Sequence, residues 1–152
     1  MGIDNGGMID VGEKNITTRT ATASCKVITG VDILDKIIDG TLPKGDLSGY
    51  ARAAGILGAK KTPELIPLCH TLSVEQIRVD LEYDRQNGCV NVFCEVKSSG
   101  KTGVEMEALT GCLISGLTIY DMCKSFSKEI EITDAVLLRK TGGKSGDWEK
   151  FQ

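Results

Sequence analysis

The chain has 152 residues, 41% hydrophobic, 26% charged and 5% aromatic, with a net charge of -3. That length fits one domain with a sizeable core, and no apolar run reaches the ~18 residues that suggest a membrane span. Mild acidity with few aromatics supplies neither the basic footprint nor the stacking platform of a nucleic-acid binder, so neither nucleic acid nor a membrane is an expected partner.

Met1 to Gly7 carries neither a basic region nor an apolar stretch, so no secretory signal is read there and a cytoplasmic protein is expected. Residues 1–11, rich in Gly and Asp, are expected to form a flexible arm, and residues 12–152 a single catalytic α+β domain. Residues 17–28 alternate and are rich in β-branched side chains, which predicts a strand. Residues 31–39 repeat apolar positions at helical spacing until Gly40 and Pro43 stop them. A second helix is predicted from Gly45 and Asp46 to Lys60, with Asp46 able to cap it and many Gly and Ala residues that allow another backbone to approach. Residues 62–70 are made rigid by Pro63 and Pro67, cannot be helical throughout, and end at His70, the only histidine.

Two further strands, 76–84 and 88–98, flank the turn Arg85-Gln86-Asn87-Gly88 and predict a hairpin. A long helix is predicted over 103–124 and a last strand over 129–140, followed by the glycine-lysine tail Lys140 to Asp147. Strand, two helices, hairpin, helix, strand is the order of a ferredoxin-like α+β fold, an antiparallel sheet with helices packed on one face.

The long helix holds the first candidates for chemistry. Glu105, Glu107, Asp121 and Lys124 interrupt an otherwise apolar segment, and buried charges persist only where they are paired or used. Asp121 and Lys124, three residues apart, share a face, so the carboxylate can position the ammonium for phosphate binding or proton transfer; an exposed helical ion pair is the plainer alternative. Tyr120, Met122 and Cys123 around the pair suggest that it faces an apolar wall. Glu107 and Asp121 lie about 21 Å apart along an ideal helix, too far for one small-molecule pocket. An oligomer with sites at subunit interfaces is therefore expected.

Other candidates are weaker. Gly100-Lys101-Thr102 looks like half of a phosphate-binding loop, but the glycine required five residues earlier is Glu95; Gly143-Lys144-Ser145 fails in the same way at Leu138. Lys44 precedes a helix start, where amides and macrodipole favour an anion. His70 is the one imidazole available for proton transfer near neutrality. The tail from Lys140 can fold over an anion or remain mobile. Six cysteines include no Cys-x-x-Cys pair, and Cys89 and Cys94 point to opposite faces of their strand. With one histidine, a closed zinc site would need unusual ligands, so reduced, packed cysteines are the preferred reading and no metal is expected.

Lys44-Gly45-Asp46, Leu65 to His70, Gly100 to Thr110, Leu117 to Lys124 and Lys140 to Asp147 together resemble the MoaC family of molybdenum cofactor biosynthesis, in the family's order and over nearly the whole chain. The resemblance implies a lyase, cyclic pyranopterin monophosphate synthase. It would convert a cyclised dihydro-GTP to cyclic pyranopterin monophosphate and pyrophosphate, without a cofactor, as a homo-hexamer of three dimers with interfacial sites. It implies catalytic roles for Asp121, Lys124 and Lys44. Substrate contacts are implied at Leu68, Cys69, His70, Met106 and Glu107, with Glu105 and Lys144 lining the pocket. The family often carries a histidine where Gly7 precedes Met8, so the arm is not counted among the site residues. The alternative from another class is a noncatalytic ferredoxin-like module that binds a nucleotide or pterin and regulates a partner.

Overall fold

The computed structural model describes residues 6–151; expectations that fall on residues 1–5 and on Gln152 lie outside them. The elements run β1 (Thr17–Ile28), α1 (Val31–Asp39), α2 (Leu47–Lys60), a short α3 (Thr62–Leu65), β2 (Val74–Asp84), β3 (Cys89–Gly100), α4 (Glu105–Cys123), β4 (Glu131–Thr141) and β5 (Trp148–Glu149). The strands form one antiparallel sheet in the order β2-β3-β1-β4-β5. Its first four strands have the ferredoxin-like arrangement expected from the sequence.

Periodicity located β1 and α1 at their observed bounds, and the hairpin closes with Asp84 opposite Cys89 around the expected four-residue turn. Two features differ. Strand β5 was not expected: the glycine-lysine segment is the loop of a short hairpin, in which Arg139 pairs with Glu149 and Lys140 with Trp148. A two-residue strand carries too little alternation to be read from sequence. Asp46 does stand at the N-cap of α2, but its carboxylate accepts from the Ser48 hydroxyl at 2.9 Å and makes no side-chain cap to a helix amide.

The core lies between one face of the sheet and the helices. On central β1, Ala21, Ala23, Cys25 and Val27 point inward, and Thr18, Thr20, Thr22 and Ser24 occupy the other face. The inward side chains are small because α4 lies directly on them. A Cβ at Gly116 would meet the Cys25 sulfur at 3.2 Å and Val27 at 3.4 Å. Helix α2 meets α4 as closely as its small residues predicted, since a Cβ at Gly55 would lie 3.0 Å from the Gly111 carbonyl oxygen.

The outer surface of the helical layer is not polar throughout. Met106, Leu113 and Leu117 form one stripe of α4 at helical spacing and are exposed, with Tyr50 and Leu57 exposed on neighbouring α2. Among the described residues no helix is long and apolar enough to cross a membrane.

The tight helix contact sets a stability test. A Cβ at Gly111 would stand 2.5 Å from the buried Cys94 sulfur, so either the sulfur or the helix must shift. Gly111→Ala is expected to destabilise the fold by about 1–3 kcal/mol, the usual cost of overpacking, measured as a lower urea midpoint with unchanged slope.

Candidate active site

Three structural segments converge at the N-terminal end of α4. The first is the turn from β3 into α4. Gly100 and Lys101 resemble a phosphate loop in sequence, yet their carbonyl oxygens accept from the Arg19 guanidinium at 3.1 and 3.2 Å, so the turn is tied to β1. The second is the segment after α3, where Pro67 and a hydrogen bond from the Cys69 amide to the Ile66 carbonyl direct Cys69 and His70 toward α4. The third comprises residues 6–16, which have no regular secondary structure and cross the front of the other two.

Together they enclose a cleft of about 380 Å³ lined by Gly7, Ile9, Val11, Lys14, Ile66, Leu68, Cys69, His70, Thr102, Gly103, Glu105 and Met106. His70 Nε2 lies 2.6 Å from the Ile9 carbonyl oxygen; a carbonyl only accepts, so Nε2 carries the proton in this arrangement. The cleft has apolar walls suited to a planar ring, with an imidazole, a thiol and a carboxylate at its edge.

A second cleft of about 380 Å³ adjoins it and shares Lys14, Thr102, Gly103 and Glu105; its other walls are Arg19, Lys140, Lys144 and Ser145. Four cationic side chains in one concavity make an anion site. The sheet register assembles it, with Thr20 opposite Thr141, which places the start of the β4–β5 loop beside Arg19. Lys140 holds that loop through Ser145 and forms a 3.1 Å ion pair with Glu105.

Glu107 behaves differently from Glu105. Its side chain is 1% exposed, Oε1 lies 3.9 Å from the Cys69 thiol, and Oε2 has no hydrogen-bond partner among the described atoms. Burial pushes its carboxyl above the ordinary glutamate range, and the neighbouring Glu105 charge adds to this. Burial and the Glu107 carboxylate likewise push the Cys69 thiol up. Glu107 stands behind the cleft wall, in contact with Cys69, and is not itself among the residues lining the cleft.

The remaining sequence candidates gather at the other end of α4. Asp121 binds Lys124 Nζ at 2.9 Å and Lys44 Nζ at 3.0 Å, and Lys44 also donates to the Asp121 carbonyl oxygen at 2.9 Å. The hydrogen bond from Lys124, then that from Lys44, holds the Asp121 carboxyl below its usual range, while Asp121 raises the Lys124 ammonium. The expected apolar wall is partial: Met122 and Tyr50 line a cleft with Asp121, yet side-chain exposures of 54% for Asp121 and 57% for Lys124 place the pair largely in water in a single chain, and Cys123 turns inward. That cleft, of about 260 Å³, lies between Lys44, Tyr50, Thr118, Asp121 and Met122.

The structure therefore brings Leu68, Cys69, His70, Glu105, Met106 and Lys144 to one end of α4, and Lys44, Asp121 and Lys124 to the other. Sequence reading missed Arg19 and Lys14 as cleft residues and named Lys140 only as the start of a tail able to fold over an anion. Arg19 carried a usable signal, a charge in the inward-facing series of β1, where it is almost completely buried. Lys14 carried none, because the arm has no periodicity. All six cysteines are free, and among the described residues no group of three or more His, Cys, Asp or Glu side chains could hold a metal ion.

A ferredoxin-like α+β domain with an anion cleft beside an apolar one is the class of protein that fold and site define. The MoaC family profile matches residues 8–143, and the chain belongs to that family. It is 50% identical over 144 residues to a protein of Arabidopsis thaliana called cyclic pyranopterin monophosphate synthase, mitochondrial; the match covers 95% of this chain and 53% of that protein. A cyclic pyranopterin monophosphate synthase of Clostridium botulinum is 52% identical over 148 residues, covering 95% of this chain and 93% of its own. One of Pelobacter propionicus is 49% identical over 146 residues, covering 96% and 91%. The chain thus spans about half of the plant relative and about nine-tenths of the bacterial ones.

The buried carboxyl gives a pH-dependent prediction. A carboxyl whose folded-state pKa is raised contributes stability that is fully present below the unfolded pKa and is lost as pH rises through the folded value. Glu107→Gln removes that loss. It is expected to raise the thermal midpoint at neutral pH and to leave it nearly unchanged below the ordinary glutamate range, where Glu107 is neutral in both states; scanning calorimetry at the two pH values checks it.

Proposed function

We propose that the chain is a cyclic pyranopterin monophosphate synthase. It takes 3',8-cyclo-7,8-dihydroguanosine 5'-triphosphate and releases cyclic pyranopterin monophosphate and pyrophosphate, a phosphorus-oxygen lyase step in molybdenum cofactor biosynthesis. The observation that carries this reading is the pair of adjoining clefts: an apolar one with His70 at its edge for a fused ring, and one with four cationic side chains for a triphosphate.

In the phosphoryl step a hydroxyl oxygen of the substrate attacks the α-phosphorus. A new P–O bond forms, the bond to the bridging oxygen breaks, and pyrophosphate leaves with that electron pair. Arg19, Lys140 and Lys144 offset the charge that develops on the departing group. The hydroxyl proton and the protons of ring opening and closure pass through Asp121, Lys124 and His70. Asp121, kept ionised by two ammonium groups, accepts; Lys124, kept charged by Asp121, donates or binds. Leu68, Cys69 and Met106 bound the ring, Glu105 sits where ring and phosphate meet, and Glu107 acts through its contact with Cys69.

These groups form one site only if a second subunit supplies half of it. Helix α4, with 19 residues, is about 28 Å long, so its two clusters cannot meet within a chain. Two copies packed with their α4 stripes antiparallel would bury Met106, Leu113 and Leu117 and bring Asp121 and Lys124 of one to the clefts of the other, generating two equivalent sites. This pairing is the dimer of a homo-hexamer built as three dimers.

Incubating the purified protein with the cyclised dihydro-GTP should yield pyranopterin and pyrophosphate in equal amounts by mass spectrometry; binding without turnover would instead favour a regulatory module. Lys124→Ala is expected to lower kcat by a factor of about a hundred or more while the protein stays folded and oligomeric. Subunit exchange between inactive Lys124→Ala and His70→Ala proteins should then restore activity to about one quarter of parental, because each mixed dimer holds one intact site. No recovery after verified exchange would reject shared sites.

A further inference from the structure

Strand β2 ends the sheet: β3 pairs along one side of it, and among the described residues no strand pairs along the other. An edge of 11 residues without proline leaves a row of amides and carbonyls able to pair with a further strand. The core behind that edge is also incompletely covered. Val74, Ile77 and Leu81 of the strand are only half-buried, as are Ile56 of α2 and Leu72 before the strand. A groove of about 540 Å³ follows the start of β2, with Ile56 and Lys60 on one side and Glu75 and Ile77 on the other. The opposite face of the strand carries an exposed ion pair, Arg78 Nε to Asp80 Oδ2 at 2.7 Å.

We propose that the free edge of β2 pairs antiparallel with the β2 edge of a second copy of the chain, about a two-fold axis through Val79. In that register Arg78 of each copy stands opposite Asp80 of the other on the outer face, and Ile77 of each opposite Leu81 of the other on the helical face. Opposed positions then share a face, and whichever alternate residues turn their amides outward meet each other. Neighbouring registers lack this match. An axis at Arg78 or Asp80 sets like charges against themselves, and one at Leu81 sets Asp80 against Glu82. One at Ile77 leaves Arg78 facing Gln76 and Asp80 facing Val74, and an axis between residues turns the apolar face of one strand toward the charged face of the other. The second copy's strand end, with its exposed Tyr83, then lies along the groove at the start of β2 and covers Ile77 and its neighbours. The contact itself stands on this edge alone; its place in a hexamer rests on the α4 pairing of the proposed function. Two different two-fold contacts on one chain, α4 and β2, alternate around a ring, and six subunits close it with the symmetry of three dimers.

The test reads subunit number by native mass spectrometry and light scattering on two charge-reversal variants, Arg78→Asp and Asp80→Arg. Each places like charges opposite each other twice per contact, and is expected to weaken assembly by about a hundredfold or more, so that the parent hexamer falls to dimers joined through α4. Both positions are exposed, so the thermal midpoint of unfolding by circular dichroism should stay close to that of the parent under dilute conditions where both are dimers. Co-expressing the two variants restores opposite charges across every mixed β2 contact, although neither chain regains its internal ion pair. Hexamers containing equal numbers of the two variants are the expected product. Single variants that remain hexamers, or co-expressed variants that fail to reassemble, would overturn the β2 contact and leave the α4 pairing standing. A parent dimer that either variant converts to monomers would uphold the β2 contact and refute the α4 pairing. A parent that is monomeric, or a dimer that neither variant changes, would refute the β2 contact.

Discussion

Helix α4 rests on the sheet and against α2 through residues without side chains, and most of the molecule is arranged around that contact. Gly116 lies over Cys25 and Val27, and Gly111 faces both Cys94 and the backbone at Gly55. Close approach fixes the helix along its length, so neither end can adapt independently. The residues that project from its ends are therefore held in place by packing several turns away. The small inward side chains of β1 belong to the same constraint, because larger ones would lift the helix off the sheet.

A rigid helix gives its two ends opposite electrostatic surroundings. At the N-terminal end Glu107 is enclosed, loses solvation and is driven toward its neutral form, despite a helix macrodipole that favours negative charge there. At the C-terminal end Asp121 is exposed and kept ionised by direct hydrogen bonds from Lys124 and Lys44. Desolvation dominates the first and pairing the second. Covering the exposed cluster with another subunit would strengthen its pairing, because water would screen it less. An ion pair of modest strength on an isolated chain can then become a fixed acid-base element inside an assembly.

Much of this was legible in the sequence wherever one periodicity ran long enough. β1, α1, the hairpin and α4 each carry a pattern of eight or more residues, and their positions and the ferredoxin-like order followed from it. Asp121 and Lys124 were also legible as a pair, because helical spacing alone makes them neighbours. The link between Asp121 and Lys44 was not, since it spans 77 positions and depends on how α2 docks on α4. The apolar wall beside the Asp121 pair was legible only in part: Met122 does line a cleft with Asp121, but the helix turns Cys123, the next residue in sequence, to its opposite side. Arg19 could have been read from its inward register on β1, whereas Lys14 could not, because only tertiary hydrogen bonds place the arm.

The anion cleft draws its cations from separate parts of the chain: Lys14 from the arm, Arg19 from β1, and Lys140 and Lys144 from β4 and the loop beyond it. Their relative positions are set chiefly by strand register, because β1 pairs with β3 on one side and β4 on the other. Thr17 opposite Gly100 and Thr20 opposite Thr141 put Arg19 between the turn into α4 and the loop after β4. A slip of one residue in either pairing would turn a cation to the other face of the sheet. The apolar cleft depends instead on the proline-stiffened segment before His70 and on the arm, neither of which is part of the sheet. The cationic cleft is thus a register-fixed surface and the apolar one is enclosed by hydrogen-bonded loops, so under the proposed function binding geometry at the phosphates would be less adjustable than at the ring.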